Sequence, residues 1–329
     1  AELTLRTSLW RSFKQWDDFS STWQTAIFTT LDTKDISTKA EQFTKIVKRC
    51  ENNLPENDVV PLLKEKVWTI REAMPVVIAL KNDNLDESHM NEIRELVQKD
   101  FVINENFTLD DLLALKLNEY QEDIQAISTQ ATQETILTGQ LTAVKAVWKE
   151  QYFTLKPYQP TNDIKEMYIL DDVDDIFAQL DESLATVSNI LGSRYCKRIR
   201  PDAEKIHKDL NMVQETLEDW VTCQRNWMYL ETIFSAQDIK NDLATEHSQF
   251  ETVDKNWKQI MRKVPVNSNV LKNCTFKMTA DTLKKSISTL DELQRRLEEY
   301  LEKKRQDFPR FYFLSNDDLL EILANSAKV

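Results

Sequence analysis

Apolar residues recur along most of the chain at steps of three and four, the period that builds one face of an α-helix. From Leu113 the series runs Leu117, Tyr120, Ile124, Ile127, Ala131, Leu141, Val144 and Trp148. It predicts one amphipathic helix of about 50 Å at 1.5 Å per residue, with Gly139 as its weak point. Thr108 followed by Asp111 has the form of a capping box and marks the start. A second stripe joins Leu210, Val213, Leu217, Trp220, Trp227, Leu230 and Phe234, and a third joins Leu283, Ile287, Leu290, Leu293, Leu297, Tyr300 and Leu301. Near the N-terminus Trp10, Phe13, Trp16, Phe19, Trp23 and Ile27 repeat at the same steps, so large rings are expected along one packed side. No strict heptad persists, which favours packed bundles over an isolated coiled coil.

Breaks are expected where proline and small polar residues gather: 52–61, 81–88, 156–163 and 264–281. Pro75 lacks an amide donor and should end or kink its helix. Tyr152-Phe153-Thr154-Leu155 and Met167-Tyr168-Ile169-Leu170 are β-prone and are separated by Pro157, Pro160, Asn162 and Asp163, which predicts a small hairpin. The fold class is therefore all-α: an elongated stack of helical bundles with long amphipathic helices and one small β-hairpin near 152–170.

Composition narrows the function. The 329 residues include only two glycines, Gly139 and Gly192, where average usage would supply roughly 23. Phosphate-cradling loops and dinucleotide turns need glycine at fixed positions, so no nucleotide site of the usual kind is expected. A formal net charge of −13 argues against nucleic acid as the main ligand. Absence of a long apolar run, and an opening Ala1-Glu2-Leu3-Thr4 without signal-peptide character, lead to the expectation of a soluble intracellular chain that does not engage a membrane. Cys50, Cys196, Cys223 and Cys274 lie far apart and read as reduced thiols.

Candidate chemistry is sparse. His89, His207 and His247 occur singly and read as packing or surface residues. The run Asp171-Asp172-Val173-Asp174-Asp175 fails as a calcium loop, because Val173 and Ile176 stand where an oxygen ligand and a glycine are required. It reads instead as a helix start, where carboxylates are favoured by the macrodipole. No nucleophile elbow, Walker loop or metal-ligand spacing is present, so no catalytic, cofactor or metal residue is assigned. The basic groups Arg194, Lys197, Arg198 and Arg200, and Lys303, Lys304 and Arg305, read first as solvated helix faces, with an acidic protein partner as the functional alternative.

Three segments carry a more specific signal. Trp227–Ile239 reads WMYLETIFSAQDI, Phe250–Met261 reads FETVDKNWKQIM, and Leu297–Leu323 contains LEEYLEKKRQDFPRFYFLSNDDLLEIL. In this order and spacing they resemble the linker region of dynein heavy chains, with wording nearer to axonemal members than to cytoplasmic ones. Upstream, Met74-Pro75-Val76-Val77-Ile78-Ala79-Leu80 with His89, the Trp148 helix, and Tyr168-Ile169-Leu170 before Asp174-Asp175-Ile176 are similar to the tail-to-linker region. Two departures stand out: Leu243-Ala244 replaces a hydrophobic-proline step, and Met90 replaces a common tryptophan.

The family-motif positions are Trp227, Tyr229, Leu230, Glu231, Ile233, Phe234, Asp238, Phe250, Asp254, Trp257, Met261, Tyr300, Arg305, Phe308, Pro309, Arg310, Phe311, Tyr312, Phe313, Leu319 and Leu320. The resemblance gives them structural roles. It implies a tail-proximal helical bundle over 1–105 and the N-terminal part of the linker over 106–329. The implied function is a mechanical lever that passes ATP-driven changes of an AAA+ ring to the tail, in microtubule-based ciliary motility. ATP and Mg would then sit in the parent ring, with no cofactor in this segment. Partners would be the ring and tail of the same heavy chain and other dynein subunits, with the microtubule reached only through the parent, in the axoneme or alternatively the cytoplasm. The competing reading is a static helical scaffold or tethering subunit.

From the residues themselves, Trp227, Leu230 and Phe234 share one face and Asp254, Trp257 and Met261 another, so the two helices should pair antiparallel. Pro309 should force Phe308 out of the helix and send Phe308–Phe313 across in extended form, buried in the structural reading and an exposed docking strip in the functional one, before Ser315 and Asp318 cap a further helix.

Overall fold

A computed structural model describes residues 2–161 and 167–324, apart from the side chains of Asp238 and Ala324. Among the described residues the chain is all-α with one two-stranded sheet. It divides into two compact units, Ala1–Leu137 and Thr138–Val329.

In the first unit α1 (Glu2–Thr25), α2 (Thr33–Asn53) and α3 (Val59–Leu80) pack on one another, and α4 (Glu87–Val97) and α5 (Leu109–Ala114) complete the core. Trp16 and Trp23 of α1 are buried, with ring centroids 5.6 Å apart, and Phe19 stacks on Trp23. Trp10 departs from the expected packed side: it is 60% exposed. Asp32 caps α2 by accepting from the amides of Lys34 and Asp35, which hold its carboxyl below the ordinary range. The short segments before α3 and α4 fall at the expected breaks. Pro75, however, neither ends nor divides α3. The missing amide costs on the order of 3 kcal/mol in a helix interior. Met74, Val76, Val77, Ala79 and Leu80 around it are all buried, and each large side chain contributes about 1.5–3 kcal/mol, so packing outweighs the loss.

The helix expected from Leu113 is interrupted. α5 ends at Ala114, Lys116 adopts the left-handed conformation (φ 50°), and a single 3₁₀ turn covers Leu117–Tyr120 before α6 (Gln121–Lys149) begins. The Leu115 carbonyl accepts from the Lys99 ammonium. Leu112 and Leu117, on either side of the break, are both buried and Leu113 packs against the core, which is why the apolar stripe does not reveal it. The Thr108–Asp111 capping box is present, and Asp111 accepts from the Thr108 amide at 2.9 Å. His89 is buried and completes a capping box with Asp86, while its Nε2 lies 3.3 Å from Glu134 on α6. Met90 packs against the core.

Gly139 does not break α6, and a methyl group built on it would meet nothing within 4 Å. Gly139→Ala is therefore expected to stabilise the protein by about 0.5–1 kcal/mol, measured as a rise in chemical-denaturation midpoint. A lowered midpoint would show that the site is not the relaxed helix interior described.

The second unit is organised by α8 (Arg200–Phe234). Against it lie α7 (Asp174–Gly192), α10 (Ala244–Met261), α11 (Val270–Cys274) and α12 (Lys277–Asp307), and α9 (Gln237–Asp242) and α13 (Asn316–Ala324) gather at its C-terminal end. Asp174 and Asp175 occupy the first turn of α7, as the macrodipole argument required. The expected break over 264–281 is partly helical: it contains α11 and the first turn of α12. α10 follows α9 directly through Leu243, which takes a non-helical conformation (φ −122°, ψ 49°) at the Leu243-Ala244 step.

The hairpin consists of β1 (Leu155–Tyr158) and β2 (Met167–Leu170), antiparallel, with Leu155 opposite Leu170. The expected first strand is shifted. Tyr152 bridges to Asn269 and the Phe153 amide donates to the Ser268 carbonyl at 2.8 Å, so this pair belongs to the α10–α11 connection. Pro157 is accommodated within β1, in a ribbon whose strands are both edges. Asn162 and Asp163 of the proposed turn lie outside the described residues.

All four cysteines are free and buried. Burial pushes the thiols of Cys223 and Cys274 up to about 12, from an ordinary 9.0. An unfolded chain would ionise them from about pH 9, so both thiols favour the folded state less as pH rises from 9 to 12. Native protein at pH 8 is expected to leave both unalkylated by iodoacetamide until denaturant is added, which peptide mapping reads directly.

Candidate functional site: a ring-packed helix pair and its exposed end

α8 and α10 form the expected antiparallel pair, fastened at three levels. Trp220 Nε1 lies 3.4 Å from Met261 Sδ. Trp227 donates to Asp254 Oδ1 at 3.0 Å and stacks on Trp257 at 5.6 Å. Phe234 stacks on Phe250 at 5.3 Å, with His247 edge-on. These contacts span about 21 Å of α8. Tryptophans 220, 227 and 257, with Leu230 and Phe234, are almost wholly excluded from water. Buried aromatic pairs of this kind add about 0.5–1.5 kcal/mol each beyond the area they bury.

The hairpin lies along the same pair: Gln224 and Glu231 flank Trp227 on α8 at steps of three and four, and Tyr158 packs edge-on against Trp227. Gln224 accepts from the Leu170 amide at 2.9 Å and donates to the Leu170 carbonyl at 2.8 Å, replacing a neighbouring strand. Glu231 is only 5% exposed. It accepts from the Thr161 amide at 2.7 Å, the Thr161 hydroxyl at 3.1 Å and the Tyr158 hydroxyl at 3.3 Å. Burial, with the Glu231 charge beside it, raises the Tyr158 phenol above its ordinary 10. A two-stranded ribbon that is marginal alone is thus fixed along a helix. Gln224, Tyr158 and Thr161 were not legible as site residues, since long-range polar pairs leave no local pattern. Asn269, buried, also went unread: it donates to the Lys149 and Gln151 carbonyls and caps α11 through the Lys272 amide. An asparagine before an apolar run was the available signal.

At the C-terminal end the aromatic segment differs from the expected extended crossover. Only Phe308 is extended; Pro309–Phe313 coil into a 3₁₀ turn, none of it buried. Arg305 gathers the carbonyls of Phe311 (3.4 Å) and Leu314 (3.1 Å), which draws the chain into the turn. Phe308 packs edge-on against Phe311 at 4.9 Å, Tyr312 donates to Glu302 at 2.7 Å, Arg310 is exposed, and Phe313 is 92% exposed. Ser315 accepts from the Asp318 amide, capping α13, and Leu319 and Leu320 are buried. Tyr300 and Lys304 donate to Asp242 at 2.7 and 3.2 Å, holding that carboxyl below the usual range. Tyr229 and Ile233 face α13, whereas the side chain of Asp238 lies outside the described residues.

Among the described residues, no cluster of three or more His, Cys, Asp or Glu could hold a metal ion, and no helix is long and apolar enough to cross a membrane. Both glycines lie in helices, so no glycine-built phosphate cradle is formed by them.

This arrangement defines an all-α protein built on a ring-packed pair of long helices with one small ribbon fixed beside it. The family described as "Dynein heavy chain, N-terminal region 2" matches residues 1–329, and the chain belongs to the dynein heavy chain family. It is 41% identical over 327 residues to human dynein axonemal heavy chain 6, covering 99% of this chain and 8% of that protein. It is 32% identical over 328 residues to human dynein axonemal heavy chain 2, covering 99% and 7%. It is 30% identical over 327 residues to the Chlamydomonas reinhardtii dynein-1-beta heavy chain of the flagellar inner arm I1 complex, covering 99% and 7%. The chain therefore spans 7–8% of the length of these relatives, and its place is with the heavy chains of the axoneme.

Proposed function

We propose that this chain is the N-terminal part of a dynein linker: a stiff lever that carries ATP-driven changes of an AAA+ ring to the tail during microtubule-based ciliary motility. One observation carries the reading, the fastening of α8 to α10 at three levels by Trp220, Trp227 and Phe234. A lever must keep its shape under load, and interior packing of this density resists bending within the helix pair. Bending is then confined to a discrete joint between bundles. Nucleotide and Mg belong to the ring of the parent protein, and the microtubule is reached through the parent alone.

The test uses the complete heavy chain with dyes at Glu204→Cys and Thr232→Cys, which lie about 42 Å apart along α8, and a third dye on the ring. The α8 pair should hold one distance through the ATPase cycle while the distance from Thr232→Cys to the ring changes. An unchanging distance to the ring in every nucleotide state would instead describe a static scaffold. A changing distance within α8 would place the bending in the helix.

A further inference from the structure

The connection from α10 to α12, residues 262–280, contains Arg262, Lys263, Lys272 and Lys277 and no Asp or Glu, in a chain whose net charge is −13. All four cations are exposed, and none makes an ion pair among the described residues. The charges around them leave this surface positive. Lys258 before it is paired with Asp254 at 2.9 Å. Lys149 and Glu150, at the end of α6, are opposite in sign. Asp281 follows Lys277 by one turn of α12, and the next carboxylates, Glu215, Glu218 and Asp219 of α8, gather about Lys284.

The same connection holds apolar side chains out in water: Val266 is 88%, Met278 64% and Phe276 55% exposed. They are presented on a fixed backbone. Asn269 ties the loop to the carbonyls of Lys149 and Gln151, Asn273 donates to the Asn267 and Asn269 carbonyls at 2.7 and 2.8 Å, and Val264, Val270 and Cys274 are wholly buried beneath. Local preference is overridden at the entry to α12. Phe276 stands at the N-cap with no side-chain hydrogen bond, and Lys277 follows at the positive end of the helix dipole with no acidic residue in the first turn. A phenylalanine and a lysine that weaken their own helix while standing exposed are placed for contact with something else.

We propose that the 262–280 connection docks an acidic, extended segment of a partner protein, whose carboxylates meet Arg262, Lys263, Lys272 and Lys277 and whose aromatic or aliphatic side chains pack on Val266, Phe276 and Met278. Charge complementarity selects the occupant. A cationic segment is repelled. An anionic bilayer, being flat, would bring its charge against Glu215, Glu218 and Asp219 as well, whereas a narrow polypeptide follows the loop and avoids them. The assignment is independent of the lever reading, since the charge pattern is the same in a lever and in a scaffold.

The test measures fluorescence anisotropy of a labelled glutamate-rich peptide containing phenylalanine, titrated with the 329-residue chain. A matched peptide with lysines in place of the glutamates serves as comparison. The acidic peptide should bind at least about tenfold more tightly than the basic one, and its affinity should fall as salt rises. Lys263→Glu combined with Lys277→Glu should weaken it about tenfold, and the same reversal at the exposed Lys45 and Lys48 of α2 should leave it unaltered. Phe276→Ser combined with Met278→Ser should weaken it about fivefold. Serine is the better N-cap, so this second variant should lose no melting temperature, and it keeps the proposal testable should the charge-reversed chain fold poorly. Equal affinity for both peptides, no binding of the acidic one, or undiminished binding by either double variant overturns it. So does capture of the chain by phosphatidylserine vesicles while the acidic peptide stays unbound, which would make the connection a membrane-facing surface.

Discussion

Replacing Trp227 by alanine is expected to destabilise the second unit by about 3–5 kcal/mol. The ring is fully buried and touches three partners: the Asp254 carboxylate at 3.0 Å, the face of Trp257 and the edge of Tyr158. Its removal loses all three and leaves a void that close-packed helices fill only partly. For a unit of this size the melting temperature should fall on the order of 10 °C. Trp227→Phe separates the contributions, because it keeps most of the aromatic area and drops only the Nε1 donor, with an expected cost of about 1–2 kcal/mol. Asp254 also holds Lys258 at 2.9 Å, so its charge is not stranded by either change. Near-UV circular dichroism of the tryptophans, followed through thermal unfolding, measures the order alanine, phenylalanine, wild type. An unchanged melting temperature for Trp227→Ala would contradict the fastening of α8 to α10.

Trp227 also marks what a sequence reveals and what it hides. The faces of α8, α10 and α12 were legible because packing between long helices demands an apolar residue at every turn, and Leu210 through Phe234 obey that demand without a gap. The antiparallel pairing followed from the motifs alone. Phase, however, is insensitive to a break that keeps register. Leu113 and Leu117 are four apart whether a helix joins them or Lys116 turns through the left-handed region, so the end of α5 was invisible. The continuation of α3 through Pro75 was hidden for the converse reason. A local rule was applied where buried neighbours on both sides outweigh it. In the Phe308–Phe313 segment, aromatic composition suggested burial, but a 3₁₀ turn held from behind by Arg305 sets Tyr312 and Phe313 toward solvent. Backbone carbonyls captured by a single guanidinium have no signature in residue spacing.

The polar contacts of α8 with the hairpin were the least legible part of the site, and Glu231 makes the most consequential of them. Glutamate is seldom fully buried unless it is partnered, and its position within WMYLETIF gave no indication that Tyr158 and Thr161, some 70 residues earlier, would supply its partners. Glu231→Ala is expected to cost about 2–3 kcal/mol, because it strands the Thr161 amide and two hydroxyls next to a dry helix face. Glu231→Gln keeps an acceptor and removes the charge, so its cost should be smaller. The two variants share a spectroscopic consequence. Since the Glu231 charge and hydrogen bond help to raise the Tyr158 phenol, removing them lets that phenol ionise at lower pH, with burial still holding it above the ordinary value. Ultraviolet titration of tyrosinate, compared with a Tyr158→Phe reference, isolates this group. If both variants melt as wild type and the tyrosinate curve does not move, then Glu231 does not anchor the hairpin. The ribbon would in that case depend on Gln224 and on the burial of Ile169 and Leu170 alone.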